Sequence, residues 1–127
     1  MPARSASDVS ILIVDDATGF REAARELLER RGYVVAGEAN CAASARNALD
    51  QLTPDGVLLD VNLPDANGFE LAAELMRNDP ALAILLVSAG PLCETALPHS
   101  PARGFVLKSE LAKTDLATFW PCPQRPP

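Results

Sequence analysis

The sequence predicts an α/β fold, a doubly wound parallel sheet with helices on both faces. Three observations lead there. Residues 11–14 (Ile-Leu-Ile-Val) and 57–59 (Val-Leu-Leu) are unbroken apolar runs, as expected of parallel strands covered on both sides. Each run ends in acid, Asp15-Asp16 after the first and Asp60 after the second. Short apolar runs alternate along the chain with stretches of helical periodicity, without an internal repeat, which is the pattern of strands joined by crossover helices.

Residues 1–8 are small and polar and read as a flexible N-terminal arm. The first strand covers 11–14. Thr18 or Asp16 can cap the helix that follows, whose apolar positions Phe20, Ala23, Ala24, Leu27 and Leu28 keep helical spacing. Arg30 and Arg31 suit the negative end of its dipole, and Gly32 is placed to end it. The second strand covers 33–36. Asn40 can cap a helix over 42–52, with Ala45, Ala48, Leu49 and Leu52 inward. Pro54-Asp55-Gly56 is turn chemistry ahead of the third strand at 57–60.

Asn62-Leu63-Pro64-Asp65-Ala66-Asn67-Gly68 is a loop by composition, leading into a third helix over 69–77 that Asn78-Asp79-Pro80 stops. The fourth strand covers 83–87 and the fifth 104–107. Between them lie Gly90, Pro91, Pro98 and Pro101. Proline inside a helix costs about 3 kcal/mol, so only 92–97 can be helical. The fourth helix is therefore expected to be short or irregular and its segment mobile, with His99 an exposed loop residue. A last helix is expected over 109–119 with Ser109 as its N-cap. Trp120 reads as a packing anchor before the Pro-rich tail at 121–127.

The 127 residues suit one domain, spanning about 9–120. A net charge of −6 argues against direct nucleic-acid binding, because a phosphate backbone calls for a basic face. No apolar run approaches the roughly 18 residues of a membrane span, and no signal peptide opens the chain, so a cytoplasmic location is expected. Cys41, Cys93 and Cys122 are odd in number, lack metal-type spacing and read as reduced thiols.

In open α/β sheets the functional crevice lies outside the carboxyl ends of the strands. Asp15, Asp16 and Asp60 would meet at that edge, and their mutual repulsion is costly unless a cation sits among them. Ser88 follows the fourth strand and Lys108 the fifth. Three acids, a hydroxyl and an ammonium suit transient phosphorylation of a carboxylate. The acids would hold a divalent hard cation, Mg²⁺, while Asp60 attacks phosphorus as the nucleophile. Lys108 would pair with one phosphoryl oxygen, and the Ser88 hydroxyl would hydrogen-bond another.

With these residues in view, the chain resembles the receiver domain of bacterial two-component response regulators. The matching motifs are Ile-Val-Asp-Asp at 13–16, Leu-Leu-Asp-Val-Asn-Leu-Pro-Asp-Ala-Asn-Gly at 58–68, Val-Ser-Ala at 87–89 and Gly-Phe-Val-Leu-Lys at 104–108. The resemblance runs from about residue 10 to residue 119. It implies a five-stranded, flavodoxin-like sheet in the order 2-1-3-4-5. It implies Asp60 as phosphoacceptor, Asp16 as a direct metal ligand, Asp15 as a ligand through water, and the Asn62 main-chain carbonyl as a further oxygen. Ser88 and Phe105 would form a switch pair, and the small Ala89 leaves room for the phosphoryl group. The implied partners are a sensor histidine kinase or phosphotransfer protein, and an output protein or attached output domain. A second copy of the chain is a further implied partner, since many receivers dimerise through the face that holds the fourth helix.

Two features depart from the family's pattern. Ser109 follows Lys108 where many members have a cis proline; Lys-Ser is closer to receivers of LuxR-type regulators. The Ser88-to-Lys108 spacing is short, which puts output through the fourth-helix face in doubt. Other readings compete. A phosphohydrolase with Asp60 as nucleophile would want an acid at position 62, which is Asn. A receiver-like interaction module could bind partners without phosphorylation. Asp15-Asp16 could be a capping turn, Ser88 a helix cap, Lys108 a surface ammonium and Phe105 an ordinary core aromatic.

Overall fold

A computed structural model of the chain describes residues 9–90 and 101–120. In order, these form β1 (Ser10–Val14), α1 (Thr18–Arg30), β2 (Val34–Ala39), α2 (Ala42–Leu52), β3 (Gly56–Asp60), α3 (Gly68–Asn78), β4 (Ala83–Ser88) and β5 (Gly104–Leu107). Two 3-10 turns follow, Lys108–Lys113 and Leu116–Thr118. The strands make one parallel sheet ordered β2-β1-β3-β4-β5, the order the resemblance implies. The proline-rich crossover at 91–100 lies outside the described residues, and with it the expected short fourth helix, Cys93 and His99. So do the arm at 1–8 and the tail at 121–127 with Cys122.

Burial explains the unbroken apolar runs. Every residue of β3 and β4 is buried, because strands in the middle of a doubly wound sheet face protein on both sides. Alternate residues feed two cores. Ile11, Ile13, Leu58, Leu85 and Val87 meet Ala24 and Leu28 of α1 and Leu111, Leu116 and Trp120 of the C-terminal segment. Leu12, Val14, Leu59, Ile84 and Leu86 meet Ala42 and Ala45 of α2 and Leu71, Ala72 and Leu75 of α3. The chain leaves β1 for β2 on one side and reaches β3 on the other, so the crevice opens between the carboxyl ends of β1 and β3.

Several expectations are corrected. Neither Thr18 nor Asp16 caps α1; Ala17 holds the N-cap position, and the Asp15 Oδ1 accepts from its N–H at 2.8 Å. Ala23 faces solvent, and Leu52 is 40% exposed. The second strand runs to Ala39 rather than stopping at 36, with a register shift between Ile11 and Leu12 that absorbs Ala36. Cys41, not Asn40, caps α2: its Sγ accepts from the Ser44 N–H, and the Ser44 hydroxyl accepts in return from the Cys41 N–H.

The last helix is also different. Ser109 is exposed and caps nothing, and the segment forms 3-10 turns in place of an α-helix over 109–119. The physical reason is competition for its backbone groups. Thr114 Oγ1 donates to the Glu110 carbonyl, the Asp115 side chain accepts from the Ala117 N–H, and the Arg31 guanidinium donates to the Ala112 and Thr114 carbonyls. Trp120 is the anchor the sequence suggests. It is buried over Gly56, its indole N–H donates to the Ala83 carbonyl at 3.1 Å, and it meets Tyr33 edge-on. Gly56 and Ala83 begin their strands, so Trp120 lies at the amino end of the sheet, opposite the acidic edge.

Candidate functional site

Strand register brings the predicted residues together. Val14 pairs with Leu59, so Asp15 and Asp60 emerge side by side at the carboxyl edge. Asp60 pairs with Val87 and Ser88 with Leu107, which sets Ser88 one strand over and Lys108 one strand further. The bond from Val61 N–H to the Val87 carbonyl continues the ladder past Asp60, and Gly68 N–H donates back to the Val61 carbonyl at 2.8 Å. Gly68 is required there: a Cβ would run into the Asp60 carbonyl oxygen and lie 2.5 Å from the Val61 Cα. The start of α3 is thus pressed against the backbone that carries Asp60.

The carboxylates of Asp15, Asp16 and Asp60 offer one oxygen each, all within 4.8 Å of one another. Asp15 is fully buried, Asp60 nearly so, and Asp16 is exposed. Asp15 Oδ2 is buried, accepts no hydrogen bond and has the Lys108 ammonium 2.6 Å away as its ion-pair partner. Asp60 Oδ1 accepts from the Asn62 N–H at 3.2 Å, and its Oδ2 is 3.6 Å from Lys108 Nζ. Burial pushes the Asp60 carboxyl above its usual pKa range. The Asn62 N–H opposes that shift, Asp15 adds to it, Lys108 opposes it, and Asp16 adds to it.

Three carboxylates converging within 4.8 Å, two of them buried and only one ammonium beside them among the described residues, fit a divalent cation that prefers oxygen ligands. Asp15, Asp16 and Asp60 can hold such an ion. Asn62 is exposed and bridges to Asn67 across the loop, and Asn67 caps α3 by accepting from the Phe69 and Glu70 N–H groups. The Ser88 hydroxyl is buried and accepts from the Gly90 N–H at 3.3 Å. Phe105 pairs in register with Leu86 and packs, half-buried, on the α2 and α3 side.

Three neighbours of the site were not among the candidates read from sequence. Phe20 lies beneath Lys108, with Nζ 4.5 Å from the ring centroid. Arg21 donates to the Asp15 carbonyl at 2.6 Å. Asp65 accepts from the Ala42 and Ala43 N–H groups, tying the loop after Asp60 to the start of α2. No spacing rule links Phe20 to Lys108 or Asp65 to Ala42, since these are contacts between distant elements. A cavity of about 390 Å³ among Leu49, Thr53, Pro54, Leu75 and Leu82 lies near the amino ends of β3 and β4, away from the acids.

Residues 11–117 match the family described as the response regulator receiver domain. The chain is 38% identical over 79 residues to a chemotaxis protein CheY from Thermotoga maritima, covering 62% of this chain and 66% of that protein. It is 35% identical over 102 residues to a putative transcriptional regulator from Pseudomonas aeruginosa, covering 79% of this chain and 49% of that one. The match thus spans about half to two thirds of these relatives. Among solved structures, a LuxR-family two-component response regulator from Aurantimonas sp. SI85-9A1 matches with a TM-score of 0.74 and 34% identity, over 84% of this chain and 81% of that one. The receiver domain of a putative response regulator NarL from Mycobacterium tuberculosis matches with a TM-score of 0.72 and 32% identity, over 84% and 91%. With its sheet order, its acidic edge and nearly its whole length matched, the chain belongs to the response regulator receiver domain family.

Proposed function

We propose that this receiver domain is a phosphorylation switch whose acceptor is Asp60. The observation that carries the reading is the meeting of Asp15, Asp16, Asp60 and Lys108 at one strand edge. A sensor histidine kinase or phosphotransfer protein presents a phosphohistidine. An Asp60 carboxylate oxygen attacks phosphorus, the P–N bond breaks, and the histidine nitrogen leaves with the bonding pair and takes up a proton. The three acids and the Asn62 main-chain carbonyl would hold Mg²⁺, which would supply charge neutralisation at the phosphoryl oxygens. On the family resemblance Asp16 would be a direct ligand and Asp15 a ligand through water.

Lys108 then pairs with a phosphoryl oxygen, and the Ser88 hydroxyl donates to another. Ser88 leaves its contact with the Gly90 N–H to do so, and Phe105 follows as the second member of the switch. The altered surface is read by an output protein or attached output domain, in the cytoplasm, and the domain works as a switch rather than as an enzyme. No helix among the described residues is long and apolar enough to cross a membrane.

The test is the mass shift of the chain after incubation with acetyl phosphate and Mg²⁺. Wild type gains one phosphoryl group, and Asp60→Asn, which keeps shape but lacks the nucleophile, gains none. Labelling of the variant at the wild-type level would move the acceptor elsewhere.

A further inference from the structure

We infer that Phe20 is a positioning residue for Lys108, giving its ammonium a π-face on which to move from Asp15 to a phosphoryl group on Asp60. The inference rests on the phosphoacceptor reading of Asp60. Among the described residues, Lys108 Nζ meets Asp15 Oδ2 at 2.6 Å, Asp60 Oδ2 at 3.6 Å and the Phe20 ring at 4.5 Å to its centroid. The last distance is well inside the roughly 6 Å over which a ring face attracts a cation. The Lys108 side chain is only 18% exposed, so little water remains to replace any of these partners.

The geometry explains why a ring suits the third place. Lys108 must change partners, since its nearer carboxylate is Asp15 and the reaction occurs on Asp60. A third carboxylate there would hold the ammonium and compete with the incoming phosphoryl group. An aliphatic side chain would leave a desolvated cation with no compensation on that side. An aromatic face attracts the ammonium over its whole area, so a short shift between the two carboxylates loses little of the attraction. Both ends of the contact are anchored. Phe20 lies in the first turn of α1 and packs against the core that α1 shares with the C-terminal segment, and Lys108 opens the 3-10 turn directly after β5. The contact that Phe20 makes with the charged residues of the site is with Lys108, so it acts through that ammonium.

The experiment measures the labelling rate with acetyl phosphate and Mg²⁺, with Tm, for the full chain and for Phe20→Leu and Phe20→Tyr. Leu keeps apolar bulk without the ring, and Tyr keeps the ring. The expected result is a labelling rate about fivefold lower for Phe20→Leu, with Tyr within about twofold of wild type. In a Lys108→Ala background Phe20→Leu should slow labelling no further, because its effect passes through the ammonium. A wild-type rate in Phe20→Leu, a Tyr variant as slow as Leu, or a full Leu defect without Lys108 would each overturn the role and leave Phe20 as core packing. Wild-type protein that takes no label overturns the phosphoacceptor reading, and this role with it. That failure is told apart by NMR: the Lys108 ε-methylene protons are expected upfield in wild type and the Tyr variant, and released in the Leu variant. No upfield shift in wild type overturns the contact itself.

Discussion

Lys108 sits 2.6 Å from a carboxylate that has no exposure to water, and that contact alters what the residue does for the fold. The sequence suggests that Lys108 pairs with a phosphoryl oxygen. The structure makes it also the nearest positive charge to Asp15. Lys108→Ala in chelator is therefore expected to lower stability by about 2 kcal/mol, because a buried carboxylate oxygen is left uncompensated. Mg²⁺ should narrow the difference, since a second cation then compensates Asp15. Thermal melts with and without Mg²⁺ decide it, and an unchanged Tm in chelator would restore the simpler view. Asp60 has the opposite sign. Its raised pKa means that the folded domain holds this proton more tightly than the unfolded chain does. The associated stability is full below the usual value of 3.8 and is lost as pH rises through the raised one. Metal-free Asp60→Asn should thus melt above wild type near neutral pH, with the advantage fading as the solution is acidified through that window.

At the scale of elements, the segment after β3 is held from both ends. Gly68 presses the start of α3 against Asp60 and Val61, so Gly68→Ala must move either the helix or the acceptor backbone. Lower Tm and slower acetyl phosphate labelling together are expected. Loss of Tm with normal labelling would mean that α3 alone yields. At the other end, Asp65 caps α2 from outside the helix by accepting from the Ala42 and Ala43 N–H groups, and these bonds depress its pKa. A depressed carboxylate contributes stability that is present above its usual value of 3.8 and lost as pH falls through the folded value. Asp65→Ala should therefore lower Tm near neutral pH, with the gap closing in acid. Equal gaps at both pH values would show that the carboxylate's charge is not what matters.

For the whole molecule, the sheet separates two ends with different work. The carboxyl edge gathers the acids, while the amino edge is closed by Trp120 over Gly56 and Ala83. A ligand that binds only the folded state raises stability by mass action, so Mg²⁺ should raise the Tm of wild type. Trp120 fluorescence should follow unfolding and yet stay still as Mg²⁺ is added to the folded protein, because its surroundings lie at the opposite strand ends. Calorimetry checks the binding directly. A fluorescence change at saturating Mg²⁺ without unfolding would show that the two ends are coupled.

The strands and the acidic edge were legible in the sequence because they rest on local chemistry. Residues 11–14 and 57–59 had to be covered on both faces, and a strand buried in that way delivers its next residues, Asp15, Asp16 and Asp60, to the carboxyl edge. Capping and the C-terminal segment were less legible. Cys41 rather than Asn40 caps α2 through reciprocal bonds with Ser44, a thiol in a place where hydroxyl, amide and carboxylate caps are the usual signal, and 3-10 turns replace an α-helix after Lys108, where Arg31 from far along the chain takes the Ala112 and Thr114 carbonyls. The sequence by itself determined which charges reach one edge of the sheet. Only the tertiary structure decided how they pair there, with Lys108 nearer Asp15 than Asp60 and resting on Phe20, because such distances follow from how α1 and the residue after β5 meet above the sheet edge and not from spacing along the chain.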